Sequence, residues 1–68
     1  MKGKRYTLAT IRPGDTFHLH RDKCHFVGTL KDGPVTLYVY WRWNRWSRQR
    51  VYVTQPAGAF EIDLAYAV

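Results

Sequence analysis

Cysteine is almost missing from this chain: Cys24 stands alone, so no internal disulfide can staple the fold. Acid is scarce as well, with 5 Asp+Glu against 11 Lys+Arg, and none lies between Thr36 and Thr54. No apolar run approaches the roughly 18 residues of a membrane-spanning helix. Lys2, Lys4 and Arg5 resemble the basic start of a signal peptide, but Thr7, Thr10 and Arg12 break the apolar stretch that would have to follow. One cysteine and no export signal lead us to expect a reducing, cytoplasmic setting and no membrane partner.

Catalytic motifs are missing too. Asp15, Asp22, Asp32, Glu61 and Asp63 are scattered over turns and one strand face. Glu61 and Asp63 share a side, which most simply balances nearby arginines. Cys24 and His25 are neighbours in sequence, which does not make them a nucleophile and its base. A domain this small rarely builds a pocket that excludes water. The reading is therefore a binding module rather than an enzyme, with no catalytic residue and no cofactor.

What is present bounds the fold. The 68 residues make one domain, residues 1–68. A chain of this length buries only about 60% of its unfolded surface, so association is the supplement left to it. Hydrophobic content of 46% and aromatic content of 16% argue against disorder. The net charge of +6 favours polyanionic partners.

Period-two alternation dominates the chain. Tyr6, Leu8 and Thr10 alternate with Arg5, Thr7 and Ala9; Phe17 and Leu19 alternate with Thr16, His18 and His20. A short run follows from His25 to Leu30. Phe60, Ile62, Leu64, Tyr66 and Val68 alternate with Glu61, Asp63, Ala65 and Ala67. A helix fits Phe60 to Tyr66 as well, but bulky residues at spacing two favour a strand.

Turn signals separate these runs. Arg12-Pro13-Gly14-Asp15 suits a type II turn, Lys31-Asp32-Gly33-Pro34 carries an Asp-Gly hairpin signal, and Gln55-Pro56-Ala57-Gly58 ends the fourth run. The expected fold is all-β, a small barrel or sandwich of about five antiparallel strands, with a homodimer through the strand at Phe60 to Val68 as one option. The run Ile11-Arg12-Pro13-Gly14-Asp15-Thr16-Phe17-His18-Leu19 resembles the opening of many SH3-like barrels. That resemblance covers the first strand and its turn; it implies the fold and carries over no functional residue.

The segment Thr36 to Thr54 holds all three tryptophans, three of the five tyrosines and four arginines, and reads as a hairpin. Opposed residues of an antiparallel pair share a face, so the loop's parity decides what meets what. An odd loop joins Leu37, Val39, Trp41 and Trp43 to Val51 and Val53. The other face then carries Tyr38, Tyr40, Arg42, Arg48, Arg50 and Tyr52, with Arg42 opposite either Arg50 or Arg48. An even loop instead puts Tyr38, Tyr40, Val51 and Val53 in the core and leaves Leu37, Val39, Trp41 and Trp43 in water. The odd loop is expected, because the even one exposes a large apolar patch.

On that expectation the binding residues are Tyr38, Tyr40 and Tyr52 as stacking surfaces, Arg42, Arg48 and Arg50 as phosphate contacts, and Arg45 with Trp46 reaching from the loop. Rings beside cations are how single strands of DNA or RNA are held. The alternative is a protein-interaction module, such as a small inhibitor or accessory protein of a phage or mobile element. It would dock an acidic partner through Trp46 and Arg45. A third is an oligomer whose aromatics form a shared core. Trp46 itself is either a lid on the core or an exposed anchor, and Asn44 supports the turn. His18, His20, Cys24 and His25 lack paired zinc-ligand spacing, so no metal is expected and Cys24 reads as a small buried apolar residue.

Overall fold

The computed structural model describes residues 5–67; Lys2, Lys4 and Val68 lie outside them. Four strands, β1 (Thr16–Leu19), β2 (Asp22–Asp32), β3 (Val35–Asn44) and β4 (Gln49–Pro56), precede one helix, α1 (Ala57–Tyr66). The strands form a single antiparallel sheet in the order β1-β2-β3-β4. The all-β class holds for the strands, but the sheet is open and the expected fifth strand is α1. The strand expected to carry a homodimer, Phe60 to Val68, is thus helical over Ala57–Tyr66.

The turns explain the meander. At Arg12-Pro13-Gly14-Asp15 the Asp15 N–H donates to the Arg12 carbonyl at 2.9 Å, and Gly14 takes φ +94°, as the type II reading requires. Gly14 N–H and the Asp15 carbonyl then bond the Phe26 backbone, each at 2.9 Å, fastening the turn to β2. Gly33 at φ +61°, followed by Pro34, joins β2 to β3 where Asp32 pairs with Val35. The strand expected around Tyr6 to Thr10 is a turn instead. Ile11 N–H donates to the Thr7 carbonyl at 3.0 Å and Thr7 N–H to the Thr10 hydroxyl at 2.9 Å, local bonds that replace a ladder.

The core is aromatic and centres on Phe60, which is fully buried. The rings of Tyr38, Phe26, Tyr40 and Phe17 surround it at centroid distances of 5.2, 5.6, 5.7 and 5.9 Å. Burying such a ring contributes about 1.5–3 kcal/mol. Phe60, Leu64 and Ala67 recur at spacings of four and three and are all buried, while Ile62 and Tyr66 are exposed. The helical spacing wins over the period-two one because the inner face of the sheet is a bowl of rings that needs a lid, and one helical stripe fills it. Ile11, Leu19 and Cys24 complete the core, with Tyr6 and Leu8 packed against its margin. Only one face of the sheet is thereby covered.

Candidate functional site: the uncovered sheet face

The β3–β4 register decides which side chains reach that open face. Tyr40 pairs with Val53, Trp41 with Tyr52, Arg42 with Val51 and Trp43 with Arg50. Four residues, 45–48, form the loop, so its length is even and the odd-loop expectation is corrected. No two arginines oppose each other across this pair of strands. Asn44 sets the parity. Its Oδ1 accepts the N–H groups of Trp46 at 2.9 Å and Ser47 at 3.1 Å, and its carbonyl accepts the Arg48 N–H at 2.8 Å.

This register moves the expected site residues apart. Tyr40 is 6% exposed and belongs to the core, where burial pushes its phenol pKa up. Tyr38 is half-buried and stacks on Phe60. Both rings pack around Phe60 on the core side of the sheet and are not on its open face. Arg42 shares their face, beyond the core margin, and lies 3.9 Å from Asp22. Arg45, Trp46, Arg48, Arg50 and Tyr52 are all exposed. Trp46 is 93% exposed, so it is not a lid on the core.

Trp41 and Trp43, assigned above to the core-facing side, lie on the outer face, Trp41 half-buried and Trp43 exposed. One row across the outer face runs Thr16, His25, Trp41, Tyr52; the pairs His18–Lys23 and Trp43–Arg50 lie beside it. Within the row, His25 stacks on Trp41 at 4.0 Å and 9°. From the other neighbouring strand, the Arg50 guanidinium carbon lies 4.2 Å from the centre of the Trp41 ring. Trp41 is thus sandwiched, and Arg50 Nη1 also donates to the Tyr52 hydroxyl at 3.5 Å. The rings left free are Trp43, Tyr52 and Trp46, at 52%, 57% and 93% exposure.

Electrostatics follow the same geometry. The β1–β2 turn, residues 20–21, and the β3–β4 loop lie at one end of the meander. Arg21, Arg45 and Arg48 lie in these connections and Lys23 and Arg50 in the strand ends beside them; Arg21, Lys23 and Arg45 line one groove. Asp22 is the acid nearby among the described residues, and Arg42 is beside it. Glu61 and Asp63 are on α1, across the sheet. His25 has its pKa held below the usual imidazole value, first by partial burial and then by Lys23 and Arg50.

Backbone strain collects at this end too. Among the described residues, the non-glycine residues with positive φ are His20 (+49°), Arg21 (+71°) and Arg48 (+55°). The two-residue β1–β2 turn therefore places side chains where Asn-Gly is usual. Two grooves flank Trp43, one of about 510 Å³ toward β2 and one of about 290 Å³ toward Trp46.

Cys24 and His25 point to opposite sides of β2. The thiol is buried, and burial raises its pKa. No group of three His, Cys, Asp or Glu side chains suited to a metal occurs among the described residues, and no described helix is long and apolar enough to cross a membrane. The sequence did carry a signal for where the loop starts: an Asn such as Asn44 can accept the N–H two residues on and open a turn. No protein-family model matches this chain, and neither a curated protein nor a solved structure matches it.

Proposed function

We propose that the outer face of the sheet binds single-stranded nucleic acid. One observation carries the reading: exposed Trp43 and Tyr52 lie on the outer face with Lys23 and Arg50, and the adjoining turn and loop add Arg21, Arg45 and exposed Trp46 at the same end of the sheet. Rings take bases, and cations take the phosphates between them. A duplex hides the flat sides of its bases, so open rings on a flat sheet favour a strand whose bases are unstacked. Arg50 is preorganised for a phosphate, because the Trp41 ring and the Tyr52 hydroxyl already fix its guanidinium.

Anisotropy of labelled single strands of DNA and RNA, against the same sequence as duplex, tests this. Binding to single strands should weaken with salt, with a log–log slope between about −2 and −3.5 for three to five phosphate contacts. Absence of binding at low salt, or binding indifferent to salt, contradicts it.

The exposure of Trp46 beside Arg45 favours a second reading, a protein-docking loop. There, Trp46→Ala abolishes capture of an acidic protein whether or not nuclease is present.

A further inference from the structure

The larger groove differs from the rest of the outer face in shape and in charge. Its volume, about 510 Å³, falls within the range of small-molecule sites, about 300–1,000 Å³. Trp41, Trp43 and His25 line it on the aromatic side, and Arg21, Lys23 and Arg45 on the charged side. The three cations come from the β1–β2 turn (Arg21), from β2 (Lys23) and from the β3–β4 loop (Arg45), so the site exists only when the sheet is assembled. Asp22 also borders the groove, and its carboxylate is 3.9 Å from the Arg42 guanidinium. Trp41 has His25 and Arg50 against its ring, which leaves Trp43 as the free aromatic wall. Arg21 holds its place at φ +71°, a conformation that disfavours any residue with a Cβ. Strain of this kind persists where the surroundings over-determine it and concentrates at binding sites.

We infer that this groove is a subsite for one nucleotide unit, with the base laid on Trp43 and its phosphate held among Arg21, Lys23 and Arg45. The inference rests on the nucleic-acid reading above and deepens it. A free nucleoside monophosphate is then the smallest complete ligand, because it alone among the fragments offers both a base and a phosphate. Adenosine lacks the charge and inorganic phosphate lacks the ring. The nucleotide of a bound strand and a free nucleotide share this chemistry and compete for the same place.

Titration of the whole chain at low salt, followed by tryptophan fluorescence and calorimetry, tests the inference with AMP, adenosine and inorganic phosphate as probes. AMP should bind at least tenfold more tightly than either fragment and should displace a single-stranded oligonucleotide. Trp43→Ala, and separately the pair Lys23→Ala with Arg45→Ala, should each weaken AMP at least fivefold. These side chains lie outside the core, and the fragment comparison on the unaltered chain needs no variant at all. Oligonucleotide binding with no AMP binding or competition overturns the nucleotide subsite while leaving the broader reading intact. AMP binding that is indifferent to Trp43→Ala also overturns it. Failure of the oligonucleotide itself to bind, or equal competition by poly-glutamate, which has no base, overturns both.

Discussion

The Arg50 guanidinium lies 4.2 Å from the centre of the Trp41 ring, diagonally across the β3–β4 ladder, since Trp41's direct partner is Tyr52. The contact holds a cation in place on a face that no other part of the described chain covers. Its planarity matters as much as its charge, because a guanidinium stacks on an indole and an ammonium does not lie flat. Arg50→Ala should weaken single-strand binding by about 1–2 kcal/mol. Arg50→Lys should restore only part of it. Equal binding by the lysine and arginine forms, measured by anisotropy, would reduce Arg50 to a diffuse charge.

Tyr40 and Trp43 separate the two faces of the same strand. Tyr40→Ala should destabilise the fold by about 3–5 kcal/mol, because it empties one side of the bowl around Phe60. Trp43→Ala should leave stability within about 0.5 kcal/mol and remove about 1–3 kcal/mol of base stacking. Chemical denaturation and anisotropy on the same two variants check both halves.

Much of this architecture can be read from residues alone. The alternation around Phe17 and Leu19, the Pro13-Gly14 turn, the Gly33 connection and the hairpin from Thr36 to Thr54 all stand where their chemistry puts them. Two features misled, for related reasons. Val51 and Val53 invite pairing with Leu37 and Val39, as though aliphatic residues must define the core. Here the core is built from rings, and Tyr38 and Tyr40 line it. Phe60 to Val68 shows a strand period and a helix period at once. Only the need to cap that aromatic bowl selects the helix, and such a need arises from tertiary packing that local pattern does not carry. Arg45, Trp46, Arg48, Arg50 and Tyr52 stayed exposed, whereas Trp41 and Trp43 changed sides with the loop's parity.

The β1–β2 turn offers a trade between stability and binding. Replacing His20 and Arg21 by Asn and Gly relieves two positive-φ side-chained residues. It should stabilise the fold by about 1–2 kcal/mol. Loss of Arg21 from the groove should weaken AMP and oligonucleotide together. Denaturant midpoints that fall, or binding that is unchanged, would contradict this.

Gln55 makes a second stability test, independent of any ligand. Its Oε1 is buried and has no hydrogen-bond partner among the described residues. Gln55→Met replaces this buried acceptor by an apolar side chain of similar length and should stabilise by about 1 kcal/mol. In a domain of this size that corresponds to a rise in Tm of about 4–8 °C.

His25 gives the pH dependence. Its folded pKa lies below the unfolded value of about 6.5, so the unfolded chain takes up the proton more readily. Its contribution to stability is therefore complete above about pH 6.5 and lost as pH falls through the folded value. His25→Gln should flatten that part of the stability profile. A bound phosphate offsets Lys23 and Arg50, so ligand should raise the His25 pKa and affinity should rise on acidification. NMR titration of the His25 ring, with and without AMP, reads the shift directly.

The most direct measurement is a ¹⁵N–¹H spectrum recorded during titration with a single-stranded oligonucleotide at low and at high salt. The indole signals of Trp43 and Trp46 and the amides of His25, Trp41 and Tyr52 should move, and the movement should shrink as salt is added. The amides of α1, on the far side of the sheet, should stay still. Shifts centred on α1, or an outer face that does not respond, would contradict the assignment of this surface.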